Sequence, residues 1–447
     1  MDISFSGIAS ATWHYIVLFW DSTWWFWIFF VIFASAKSAF LYWRNTVFER
    51  AELLPSNGRA SGSIMLEMKV PRETLRSPRS MDQFFQAVAY LRNVEGDLGE
   101  KYLDGEVTVW YTFEMVSFSG ELHFYIRMKK KQRMLMEAAM FSYYPEVELQ
   151  QVEDYTNRLP HHVLDMKAQN LNLWGSEMTL MKPAGYPLNT YMEFENMEEA
   201  HQVDPMAGFI ENLGKARKGE FVGIQYNCAP CDPTNWAKEF EYIVEELRTP
   251  KTVKGKGGQV DQGELIKAVA LQKSPGQTDV LKSVERNLSK PAFSVVIRFM
   301  YIAPKNIYYD SFPRRAIRGA FNQFGSSDLN AFYMSKGAST RVRPWNFPFM
   351  FPGLRNLARQ QRLLHNYIER EHIIHQWMGK LLTSHPLMWN IHTKAVTIST
   401  EGMASLFHPP TLLITTAPHT QRIESKKIGA PAGLPIYADD SVLDKYR

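Results

Sequence analysis

Cysteine is nearly missing from this chain: Cys228 and Cys231 are the only thiols in 447 residues. A secreted scaffold stapled by disulfides is excluded, and the count fits a reducing compartment. An excess of one charge is missing too. Lys and Arg number 50 against 46 Asp and Glu, a formal net charge of +4, so total charge selects no partner and only local charge informs. The phosphate-cradling pattern G-x-x-x-x-G-K-[ST] does not occur. Met378–Leu381 contains Gly-Lys without the upstream glycine or the following Ser/Thr, and Gly255–Gly258 has only the composition of a loop. G-x-G-x-x-G and G-x-S-x-G are likewise absent. A Walker-type ATPase, a dinucleotide enzyme and a nucleophile-elbow hydrolase therefore lack their signatures. The expectation is a non-enzymatic protein with no catalytic, cofactor or metal residues.

Long apolar runs are also scarce, with one exception. Trp24–Trp43 reads WWFWIFFVIFASAKSAFLYW. Twenty residues of helix span about 30 Å, the thickness of a hydrocarbon core. Trp24, Trp25 and Trp27 at one end and Tyr42 and Trp43 at the other match interfacial aromatic belts, and Lys37 lies close enough to the end to snorkel. No Lys or Arg precedes Lys37, and Arg44, Arg50 and Arg59 follow the run. The positive-inside rule then places the remaining chain in the cytoplasm, as a single-pass protein of the inner membrane. The competing readings are a cleaved signal peptide, with Ala34-Ser35-Ala36 as its small-residue site, and an interfacial or buried helix. The first has no basic n-region and carries too many tryptophans.

The rest reads as α+β. Residues 1–50 form the anchor unit and 51–63 a small, polar linker. A first α+β unit is expected over 64–200, with a capping box Ser80-x-x-Gln83 opening a helix to Leu91. Strands follow at 107–118 and 122–128 around Ser119-Gly120, then a helix at 130–144 and a strand at 147–152. Strand, strand, helix, strand is the grammar of a ferredoxin-like unit. A related second unit is expected over 201–355, with strands at 221–226 and 293–303 and helices at 236–247, 280–288 and 314–324. Residues 248–262 read as a flexible loop. A long amphipathic helix over 356–383 opens a helical region 356–407, and a Pro-rich tail covers 408–447.

Three clusters invite a chemical reading. Cys228-Ala229-Pro230-Cys231 sits between a predicted strand and helix, where a redox dithiol would sit. Asp232-Pro233-Thr234, however, looks like the cap of a helix that begins after both thiols, and zinc would need two more ligands. Redox, metal and incidental readings stay open. His365, Glu369, His372 and His375 share the long helix without forming H-E-x-x-H, and His161-His162 carries no readable signal. Residues 311–362 hold Arg314, Arg315, Arg318, Lys336, Arg341, Arg343, Arg355, Arg359 and Arg362 against one acid, Asp328. Phe321, Phe324, Phe332, Tyr333, Trp345, Phe347, Phe349 and Phe351 interleave with them. Exposed, this stretch suits nucleic acid or an anionic membrane; with its aromatics buried as core, its arginines are solvated or paired at a protein interface.

Five segments resemble a known family: Leu66–Pro78 (LEMKVPRETLRSP), Gly120–Arg127 (GELHFYIR), Phe293–Pro304 (FSVVIRFMYIAP), Leu406–Thr411 (LFHPPT) and Arg422–Pro435 (RIESKKIGAPAGLP). They are similar to the membrane-anchored, non-motor region found before, or encoded beside, the DNA-transfer ATPases of type IV secretion and conjugation, motors of the FtsK/HerA-like lineage. The chain departs from that pattern at Gly402, where relatives usually carry an acid, and at the Cys228–Cys231 pair. It stops at Arg447, near where a fused relative would begin its motor domain, so the resemblance implies a motor on a separate chain. The partners implied are the lipid bilayer, a separate P-loop ATPase, nucleic acid and a second copy of the chain.

Overall fold

The computed structural model describes residues 5–50, 62–70, 76–92, 110–195, 204–248, 275–342, 349–372 and 395–410. Phe5–Arg50 is one helix, α1. Its Trp13–Ala36 segment is long and apolar enough to cross a membrane. That span begins eleven residues before the expected Trp24–Trp43 and ends seven before it, because Trp13–Trp20 adds apolar length, and it encloses Asp21 while leaving Lys37 just beyond its end.

The body is α+β, built on one antiparallel sheet. The chain runs β1 (Ser63–Lys69), α2 (Pro78–Ala89), β2 (Tyr111–Phe118), β3 (Glu121–Lys129), α3 (Arg133–Tyr143), β4 (Glu148–Val152), α4 (Val163–Ala168), β5 (Leu171–Leu180), α5 (Tyr191–Glu195), α6 (Ala207–Gly214) and β6 (Phe221–Pro230). It continues through α7 (Pro233–Glu239), α8 (Glu241–Arg248), α9 (Pro275–Leu288), β7 (Ala292–Pro304), α10 (Ser311–Asn322), β8 (Phe332–Met334), α11 (Pro352–Ile368), β9 (Val396–Ser399) and α12 (Thr400–Leu406). In space the strands lie β4-β1-β3-β2-β6-β7-β5-β8, with β9 beside the start of β7.

That order contains an internal repeat. β1, α2, β2, β3, α3 and β4 follow one another as β-α-β-β-α-β, and their strands lie 4-1-3-2. β5, α6, β6, β7, α10 and β8 repeat both the succession and the order, and the halves meet edge to edge where β2 pairs antiparallel with β6. The two expected units are thus halves of a single sheet, and the second begins at β5 rather than at residue 201. β5 hydrogen-bonds to β7 and β8, not to the strands that precede it. The halves differ at one connection. Between β2 and β3, Ser119 and Gly120 both take positive φ (55° and 96°), the geometry of a two-residue hairpin turn. Between β6 and β7 stand α7, α8 and α9 instead.

Strand alternation sends one side chain set to each face. One face carries the large aromatic core, in which Phe84 and Phe85 of α2, Phe113, Phe293 and Phe299 of the strands, Phe321 of α10 and Phe407 pack together. On the other, Met65, Val116, Tyr125, Phe221, Met300 and Ile302 meet Tyr155, α4 and, from α11, Leu363, Leu364 and Tyr367. Two strand glycines let α11 come this close. A Cβ at Gly223 would overlap the Tyr367 hydroxyl, and one at Gly175 would overlap Leu363 and the Phe299 carbonyl.

Several expected boundaries move for local reasons. Ser77, not Ser80, caps α2, with Pro78 in the first turn. The expected helix 236–247 divides at Phe240 into α7 and α8. The long helix ends at Ile368 instead of 383, because Arg370 takes a left-handed φ of 53° that no helix continues through. Within the expected helical region 356–407, Val396–Ser399 forms the strand β9. The tail beyond residue 410 lies outside the described residues.

Candidate functional site

Six adjacent strands each place one polar side chain at the same level of the sheet, and their registers bring these into line. Glu67 opposes Tyr125, Tyr125 opposes Glu114, Glu114 opposes Gln225, Gln225 opposes Arg298, and Arg298 opposes Glu177. Gln150 of β4 extends the row at one end. At the other, the Ser335 amide donates to the Glu177 carbonyl. The row crosses the seam between the repeats on the face that α11 covers. Glu114, Gln225 and Arg298 are fully buried. Burying such groups costs several kcal/mol each unless they are paired and hydrogen-bonded, so their partners decide what the row can do.

Most of those partners come from residues 366–372 and from the turn after β4. Arg298 donates through Nε to Glu177 (2.8 Å) and through Nη1 to the Asn366 carbonyl (3.1 Å). Gln225 donates to the Tyr367 carbonyl at 3.1 Å. Arg370, itself fully buried, donates through Nε to Glu114 and through both terminal nitrogens to Asp154, at 2.7 and 2.9 Å. Its carbonyl accepts from the Trp110 indole at 3.1 Å, and its guanidinium lies 5.5 Å from the Tyr155 ring centroid. Tyr155 donates to Glu114 and lies 2.9 Å from the Tyr367 hydroxyl.

Protonation follows from this packing. Burial pushes Arg370 toward losing its proton, but Glu114 and Asp154 outweigh it and hold the guanidinium well above its ordinary range. Burial would raise Asp154, yet the charge and hydrogen bonds of Arg370 keep its carboxyl below the usual value. Burial and then Arg370 push Arg127, which donates to Ser63, down to about 10. Glu369 is raised to about 7, chiefly by burial, against the pull of Arg127 and Arg370. At the outer end of the row, the His123 hydrogen bond (2.6 Å) holds Glu67 low. The arrangement ties α11 and the turn that follows it to both halves of the sheet at their junction.

Residues 55–344, well over half of the chain, match the family described as a domain of unknown function (DUF8128). The chain belongs to the DUF8128 family. No curated protein matches it. The DUF8128 match takes in β1 to β8 and hence both repeats, but ends before α11, Arg370, β9 and α12. The charges buried inside the DUF8128 region are therefore neutralised in part from outside its matched boundary.

The basic stretch expected at 311–362 is not one surface. Arg314, half-buried, and Arg315 and Arg318, exposed, stand on α10, which packs on the aromatic face. Arg355, Arg359 and Arg362 stand on α11, across the sheet. Arg355 is 5% exposed, and Arg359 donates to the Lys336 and Ser339 carbonyls at 3.5 and 3.0 Å. Arg341 is exposed, while Arg343, Trp345 and Phe347 lie outside the described residues. Phe321, Phe324 and Phe332 are core; Tyr333, Phe349 and Phe351 are exposed. Of the residues expected to anchor the chain, Trp24, Trp25 and Trp27 are exposed along α1, and Lys37, Tyr42 and Trp43 lie in its last third.

The thiols of this DUF8128 protein do not form a redox motif. β6 runs on through Pro230, so Cys228 and Cys231 are three residues apart on extended backbone, about 10 Å, too far for a disulfide. Cys228 is fully buried and burial pushes its thiol far up; Cys231 is raised to about 12, again mainly by burial. Thiolate chemistry is disfavoured at both. Buried His372 stacks near Trp110 and bonds the Ser294 carbonyl, exposed His365 stands on α11, and His375 lies outside the described residues. Among the described residues no three His, Cys, Asp or Glu side chains are grouped to hold a metal ion. The polar row itself went unread in the sequence. Its local signal is a Glu, Gln or Arg inside an apolar strand, as in FSVVIRFMYIAP and YTFEMVSF, and β3 contributes Tyr125 instead.

Proposed function

We propose that this protein is a non-enzymatic, membrane-anchored component of a type IV secretion or conjugation-like apparatus, whose body docks a separate ATPase or the transferred substrate at the inner membrane face. The observation that carries the reading is the pairing of one apolar helix, Trp13–Ala36, with a rigidly cross-tied α+β body. The family resemblance of five segments and the absent phosphate loop support it. Lys37, Arg44, Arg50 and Arg59, following the apolar run, favour a cytoplasmic body. Full-length protein drawn from native membranes in mild detergent is expected to bring a P-loop ATPase with it. A clean eluate, or ATP hydrolysis by the purified chain alone, would sink the proposal. Division of the arginines between opposite faces of the sheet favours this reading over nucleic-acid binding, and the extended backbone and buried thiols of Cys228 and Cys231 favour it over a redox role.

A further inference from the structure

At the start of α11 the chain exposes a contiguous apolar run. Phe349, Met350, Phe351 and Leu354 are 63%, 54%, 56% and 61% exposed, and Pro352 and Gly353 between them are exposed as well. Single exposed apolar residues are ordinary, whereas a continuous run marks an interaction site. The sequence around it carries charge of one sign. From Leu329 to Ile368 the sequence has no Asp or Glu and six cations. Two of these, Lys336 and Arg341, are exposed. They sit on a loop that Arg359 fastens to α11 through the Lys336 and Ser339 carbonyls.

We infer that Phe349–Leu354 is a second membrane contact, an apolar foot that seats in the headgroup region of an anionic bilayer while Lys336 and Arg341 meet its surface charge. The inference rests on α1 acting as an anchor. Thirteen residues from Arg50 to Ser63 allow the body at most about 45 Å of separation from the anchor's end. A tether of that length keeps the bilayer at high effective concentration, so a small patch suffices. Lipid is favoured over nucleic acid by the side chains themselves. Met350 and Leu354 offer no flat face for a base, and the nearby helix arginines Arg355 and Arg359 are buried or committed to carbonyls. Apolar side chains beside cations are what an interfacial contact needs.

The test uses full-length protein in nanodiscs containing phosphatidylglycerol or phosphatidylcholine alone, read by amide exchange of a peptide spanning 349–357. Amides in the first turn of a helix have no acceptor within it and exchange quickly in water. Anionic discs are expected to slow them several-fold relative to neutral discs. Phe351→Ser/Leu354→Ser should abolish the slowing and leave the melting temperature unchanged, since both side chains are exposed. Equal exchange in the two discs, or persistent slowing in the variant, would overturn the foot. So would slowing by a single-stranded oligonucleotide or by a co-purified protein in the absence of anionic lipid. Carbonate extraction of native membranes separates this from the anchor. Retention with an unprotected foot overturns the foot alone, whereas release with a foot still protected on anionic vesicles overturns the anchor and keeps the foot.

Discussion

Arg370 is the residue on which the seam depends, because it answers two carboxylates from different parts of the chain, Glu114 of β2 and Asp154 beyond β4. Arg370→Met should cost about 3–5 kcal/mol, since it leaves buried charge without a counter-charge. A fall in thermal midpoint reads this out, and adding Glu114→Gln should recover part of it; no recovery would place the cost elsewhere. Glu369 carries a pH dependence of the opposite kind to Asp154. Its folded value, about 7, lies above the ordinary 4.5, so the native state holds that proton more tightly. The stability it adds is complete below pH 4.5 and lost as pH rises through 7. Glu369→Gln should therefore stabilise the protein at pH 8, by about 1 kcal/mol after solvent screening, and leave it unchanged at pH 4. Denaturant midpoints at the two pH values would show it. None of this was legible residue by residue. Glu114 and Arg298 were visible inside apolar strands, but register is a long-range property, and only register makes neighbours of residues more than a hundred positions apart.

At the scale of elements, periodicity and composition both served. β3, α3 and α10 fall close to their expected places because alternation or helical spacing is clean in each, and β7, buried along nearly its whole length, does so through its run of β-branched and aromatic residues. β5 escaped notice because Gly175, Ser176 and Glu177 interrupt its apolar pattern, and all three are there for contacts with distant elements. The helix expected to 383 kept apolar spacing beyond its true end, and what stopped it was the turn that lets Arg370 reach Glu114. The contact between α11 and the sheet is correspondingly intolerant. Gly223→Ala should cost more than 2 kcal/mol by overpacking against Tyr367. Gly223→Ala/Tyr367→Phe should regain part of that in the same thermal assay, whereas a silent Gly223→Ala would mean that α11 sits farther from β6.

The whole molecule repeats one β-α-β-β-α-β half after the other, and that relation was only partly legible. Two related units could be expected from the succession of elements, but not their fusion into one sheet, since the pairing of β2 with β6 joins segments with no local signal for each other. Nor could net local charge reveal that a stretch carrying nine cations would be divided between opposite faces. The order in which the pieces leave the ribosome then matters. Every strand of both halves is synthesised before residues 366–372, which supply the Asn366 and Tyr367 carbonyls and the Arg370 guanidinium to the seam. Until those residues emerge, Glu114, Gln225 and Arg298 must keep their water. The nascent sheet is thus a hydrated platform that closes late, and a ribosome stalled near residue 350 would present it open.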